Sequence, residues 1–189
     1  MLLAADQFSP LVARLLQAAP TSPLGPGSPV REQRANLAEL SPSELVRPEP
    51  VADQEMARAA IAGLWLRFNF LDESHTISQY LPSTTGSYWH GIMHRREPDY
   101  GNAKYWFHRV GVHPAFEPLC EEARRLAAAS GTERRTKVLT EQASWDPFAF
   151  VDLCEQAARN KSLVPLCEAI QQAEWELLFS ECYRRAIGR

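Results

Sequence analysis

The chain has 189 residues, 45% of them hydrophobic and 23% charged, with a formal net charge of −3. That length and balance fit one soluble globular domain with a substantial core. The slight negative charge gives no basis for nucleic acid or an anionic membrane as a general partner. No apolar run approaches the ~20 residues that span a bilayer, and the N-terminus lacks the basic stretch of a signal peptide. Cys120, Cys154, Cys167 and Cys182 are far apart with no C-x-x-C pair. They read as buried reduced thiols of a cytoplasmic protein.

Ser9-Pro10 puts a hydroxyl at an N-cap and proline at N1, which predicts a short helix to about Ala19. Residues 20–29, rich in Pro, Gly and Ser, must be loop or extended chain. Ser41-Pro42-Ser43-Glu44 repeats the cap-plus-proline signal and adds glutamate at N3, as in a capping box. Residues 51–70 are the clearest helix, because Ala57, Ala60, Ile61, Leu64, Trp65 and Phe68 recur at spacings of three and four. Further helices are expected over residues 117–129, closed near Gly131, then from Asp146-Pro147 onward, and over 163–186. There is no run of alternating β-branched residues and no repeat. The expected fold class is all-α, a single-domain multi-helix bundle of about five to seven helices. Residues 1–50 would supply short helices and a Pro-rich extended wrapping segment, and residues 51–189 the helical domain.

All five histidines, at 75, 90, 94, 108 and 113, fall in one stretch. Between residues 88 and 111 three of them, His90, His94 and His108, are interleaved with Arg95, Arg96, Glu97, Lys104, Arg109 and several aromatic rings. Residues 87–97 are expected to be helical and stopped by Pro98. Asp99 would cap a second helix over 100–110 that ends at Gly111. Trp89, Ile92 and Met93 on the first helix, and Ala103, Trp106, Phe107 and Val110 on the second, form stripes expected in the core. Tyr88, Tyr100 and Tyr105 are candidates for pocket walls.

At 100° per residue, His90, His94 and Glu97 lie within about 60° of one another at the edge of the apolar stripe. His90 and His94, one turn apart with Cβ atoms ~5–6 Å from each other, can reach one ion. Glu97 is about 10.5 Å along the axis from His90 and converges poorly with both, so it suits a supporting hydrogen bond or a general base. A third metal ligand would come from another helix, with His75, Glu73 and Asp72 as candidates. Gly91 stands where a zincin has glutamate, which excludes that protease class. Arg95, Lys104 and Arg109, with Tyr105 and His108 beside them, are candidates to hold a small anionic molecule. The plain alternative for Arg95 and Arg96 is solvated salt bridges to Glu97 and Asp99. No P-loop, G-x-G-x-x-G or covalent nucleophile pair is present.

The segment Trp89-His90, His94-Arg95-Arg96-Glu97, Asn102-x-Lys104-Tyr105-Trp106 and His113-Pro114 resembles a family of small bacterial and fungal proteins. The family has no established activity, and the resemblance covers about 50 residues. It implies a shared site here without naming a reaction. The sequence therefore points to an enzyme-like or ligand-binding pocket, with Glu97 and His94 as catalytic candidates and His75, His90 and His94 as ligands for a divalent metal. The alternative is a non-catalytic protein whose buried polar network fixes helix packing or forms a partner surface.

Overall fold

The computed structural model describes residues 7–130 and 136–189. Eleven α-helices and no strand occur among them, so the fold is an all-α multi-helix domain. The helices are α1 (Pro10–Ala18), α2 (Arg34–Ala38), α3 (Pro42–Val46), α4 (Gln54–Arg67), α5 (Leu71–Ser78) and α6 (Thr84–Arg96). They continue with α7 (Tyr100–Val110), α8 (Phe116–Ala129), α9 (Lys137–Thr140), α10 (Pro147–Arg159) and α11 (Val164–Ala186). The number exceeds the five to seven expected because α2, α3, α5 and α9 are too short to carry a periodic apolar stripe.

The local signals behave as their chemistry requires. Ser9 accepts from the backbone N–H of Val12, Ser41 from Glu44, Asp53 from Met56, Ser83 from Gly86 and Asp99 from Asn102. Each side-chain oxygen satisfies an amide that the first turn leaves free. Glu44 does not complete the capping box but turns to Arg47 at 3.4 Å. α7 stops at Gly111, whose φ of 63° is the left-handed conformation that glycine tolerates. The expected stop at Gly131 lies outside the described residues.

The core is organised around α4, α6 and α11. Every residue of α6 from Thr85 to Arg96 is buried, so this stretch of the helix has no solvent face and its side chains are shared among several neighbouring elements. Close approach is permitted by glycine. A methyl at Gly63 of α4 would lie 2.7 Å from the Trp89 ring, and one at Gly91 would lie 3.1 Å from Phe107 of α7. The Gly63 carbonyl also accepts from the Trp175 indole at 2.8 Å, which ties α4 to α11. All four cysteines are buried and unpaired. No described helix is long and apolar enough to cross a membrane.

Arg95 and Arg96, expected on a solvated face or at a ligand, are instead the polar struts of this core. The Arg95 guanidinium is fully buried against the Glu174 carboxylate of α11, which also accepts from Tyr88 Oη at 3.1 Å. Tyr88 is thus a core residue and not a pocket wall. The Phe150 ring lies 4.6 Å from the Arg95 guanidinium carbon. Burial works against the Arg95 charge, but Glu174 holds the guanidinium protonated above its usual range. Arg96 has no carboxylate partner among the described residues. It donates to the carbonyls of Gly25, Pro26 and Leu66 and to Asn69 Oδ1, and burial followed by the neighbouring Arg67 and Arg95 pushes it down to about 9. Those bonds, with Gln171 to the Pro23 carbonyl at 2.9 Å and Asn69 to the Ser28 carbonyl at 2.9 Å, bind the Pro-rich segment to α4, α6 and α11.

His113 closes the junction of α6, α7 and α8. Its Nδ1 accepts from the Ala115 backbone at 3.1 Å, so Nε2 carries the proton and donates to Thr85 Oγ1 at 3.1 Å. Burial, then Arg185, pushes this imidazole down to about 4.

Two outcomes are expected. Glu174→Gln leaves a buried guanidinium without its counter-charge and should cost about 3–5 kcal/mol in urea unfolding. A loss below 1 kcal/mol would show that the pair is not the strut described. For His113, a folded value below the unfolded ~6.5 gives a contribution that is complete above pH 6.5 and is lost as pH falls toward 4, roughly 3 kcal/mol in all. His113→Gln should flatten the acid limb of stability by about that amount, and an unchanged limb contradicts the assignment.

Candidate metal centre

Three of the five histidines converge. His90 and His94 come from consecutive turns of α6, and His75 comes from α5, which packs beside it. One ring nitrogen from each lies within 4.8 Å of the other two. The ring centroids are 4.5 Å apart for His75 and His90, 5.5 Å for His75 and His94, and 4.7 Å for His90 and His94. Around a tetrahedral ion with 2.0–2.1 Å bonds, ligand nitrogens stand about 3.4 Å apart, so modest ring rotations would close the set. His90 is 2% exposed and His94 6%, while His75 is half-buried.

Hydrogen bonds select the tautomers. His94 Nδ1 lies 3.0 Å from Glu97 Oε2, and a carboxylate can only accept, so Nδ1 carries the proton. His90 Nδ1 lies 3.0 Å from Ser78 Oγ, whose own hydrogen points to the His75 carbonyl at 3.4 Å. Ser78 thereby accepts from His90. Both arrangements leave a lone pair on Nε2, which is how supporting acceptors orient metal-ligating imidazoles. Burial, then His94 and His75, pushes His90 down to about 3. Burial also lowers His94, against the opposing pull of Glu97. His90 and His94 are therefore held neutral, the form that donates to a metal.

α7 roofs the trio. Trp106, expected in the core, is half-buried and lays its ring on His90 with centroids 4.0 Å apart. One turn earlier, Asn102 Nδ2 lies 3.1 Å from His94 Nε2. The Arg109 guanidinium carbon sits 5.3 Å from the Trp106 ring centre.

Other candidates are placed elsewhere. Arg95 faces α11, as above. Lys104 pairs with Asp152 of α10. Tyr105 is 56% exposed and packs edge-on against Trp106. His108 lines a separate groove of about 1070 Å³ between the end of α7, α8 and residues 143–148, and none of the three converging histidines lines that groove. That groove and the histidine cluster are thus different places. Of the carboxylates considered as third ligand, Glu73 pairs with Arg34 and Asp72 is exposed. Ser78 was not singled out from the sequence. Its position three residues after His75 is a signal only once α5 is known to pack on α6.

Compared with protein families, with curated proteins and with solved structures, the chain matches none.

Long-range ¹H–¹⁵N NMR at pH 7 should show His90 and His94 as Nδ1–H tautomers. An Nε2–H signal on either ring would contradict the hydrogen-bond assignment.

Proposed function

We propose that this protein is an enzyme-like metalloprotein in which His75, His90 and His94 hold one divalent first-row transition ion. The observation that supports it most is the approach of three imidazoles from two helices, two of them held neutral with a lone pair directed by Ser78 and Glu97. An all-imidazole set suits Zn, Co, Ni, Cu or Fe and not Mg or Ca. Three protein ligands are the number found where a metal keeps a position for water or substrate. Such an ion lowers the pKa of bound water, and Glu97, bonded to His94 through one carboxylate oxygen, has a second oxygen to accept a proton. Arg109 has no carboxylate partner among the described residues and lies one aromatic ring from His90, so the substrate class is a small anion. Lys104 is already occupied by Asp152 and is not assigned that role. The same arrangement is proposed for the family that shares the segment from Trp89 to Pro114.

A second reading is favoured by the burial of His90 and His94 and by the bonds they already make. A satisfied network of this kind could serve to lock α5, α6 and α7 together.

Elemental analysis and zinc titration separate the two. Wild type should bind close to one equivalent and gain about 2.7 kcal/mol of stability at a free-zinc concentration 100 times Kd. His90→Ala and His94→Ala should abolish uptake with modest loss of stability. No uptake by wild type, with large destabilisation in both variants, would leave the packing network as the function of the cluster.

A further inference from the structure

The three imidazoles come from α5 and α6, yet the cluster is covered by a third helix, α7, through two side chains one turn apart. Trp106 offers only a ring face to His90. Asn102 brings a polar group to the nitrogen of His94 that is left unprotonated: its Nδ2 is 3.1 Å from His94 Nε2 and 3.4 Å from Nδ1. The Asn102 backbone is fixed by the Asp99 carboxylate, which caps α7 at 3.1 Å from its N–H, and α7 lies close on α6 where Gly91 meets Phe107. The side chain is half-buried, and no other group is in hydrogen-bond contact with its amide among the described residues.

A primary amide has two unlike ends that exchange by a half-turn about its terminal bond, one a pair of N–H donors and the other a carbonyl oxygen. Without an ion, the donor end facing the His94 lone pair is the matched arrangement. With an ion on that lone pair, an N–H end would be repelled, whereas the oxygen end is a ligand of the type that divalent ions accept. We infer that Asn102 is a fourth protein ligand, which turns its side-chain oxygen to the ion held by His75, His90 and His94. This inference rests on the metal reading above. It makes the amide both the placeholder for the vacant lone pair and the clasp between α7 and the ion, so metal occupancy would be sensed by α7. A water or substrate position would then be a fifth one, available to ions that expand beyond four ligands.

The test uses the full chain titrated with zinc and with cobalt against a chromophoric chelator. Asn102→Ala should weaken binding by about tenfold or more and alter the visible d–d band of the cobalt form, while Asn102→Asp should retain or tighten binding. In wild type the side-chain N–H₂ pair of Asn102, identified by its loss in Asn102→Asp, should shift in ¹H–¹⁵N spectra as zinc is added. That last measurement needs no folded alanine variant. An amide pair that stays in place at zinc saturation, or an Asn102→Ala protein that binds as tightly as wild type or more tightly, overturns the inference and leaves the three-histidine site standing. Absence of metal uptake by wild type overturns the site itself.

Discussion

The structure depends on the complete burial of α6. A helix without a solvent face must find a partner for every polar side chain it carries, since an unpaired buried polar group costs free energy that the fold cannot spare. α6 meets most of this demand by sorting its side chains among its neighbours, with Arg95 Nε left without a hydrogen-bond partner among the described residues. Tyr88 and Arg95, seven residues apart, both reach Glu174 of α11. Trp89 and Arg96, also seven apart, meet α4 at Gly63 and at the Leu66 carbonyl. His90 and His94 are left for α5 and α7, where Ser78, Glu97, Asn102 and Trp106 receive them. The histidine cluster is therefore a consequence of how the central helix distributes its faces.

The two kinds of polar cluster on α6 are satisfied differently. The Arg95–Glu174 pair is closed in charge: the guanidinium meets its counter-charge, Tyr88 and Gln171 add hydrogen bonds, and Phe150 covers the guanidinium, with Arg95 Nε left without a hydrogen-bond partner among the described residues. His90 and His94 bond outward through Nδ1, and one ring nitrogen from each of His75, His90 and His94 lies within 4.8 Å of the other two. Three imidazoles approach one another beneath the Asn102 amide and the Trp106 ring of α7, close enough together to hold a metal ion. This asymmetry between a closed network and a convergent one favours metal binding over packing alone.

Much of this was legible in the residues. Caps at Ser9, Ser41 and Asp99, the stop at Gly111 and the His-x-x-x-His spacing are local signals, and local physics suffices to interpret them. Helix geometry paired His90 with His94 and gave Glu97 to a supporting hydrogen bond or a general base, while the third ligand stayed open among His75, Glu73 and Asp72, of which the structure brings His75 to the pair. What could not be seen was which faces of α6 would be buried. A double arginine reads as a solvated surface, and only the acidic residue Glu174, 79 positions away on α11, reveals Arg95 as a core residue. Arg96 is harder still to read, because its partners are backbone carbonyls of the Pro-rich segment, which carry no side-chain signature. Trp106 fits the apolar stripe of α7 by spacing but covers imidazoles at its edge. The short helix α5 was invisible as an element for lack of length, and with it the role of Ser78.

X-ray absorption at the zinc edge of the zinc-loaded protein tests the central claim most directly. The account predicts a first shell of nitrogen and oxygen at about 2.0–2.1 Å, with outer-shell scattering from three imidazoles. A shell containing sulfur, or one with fewer than two imidazoles, would contradict it.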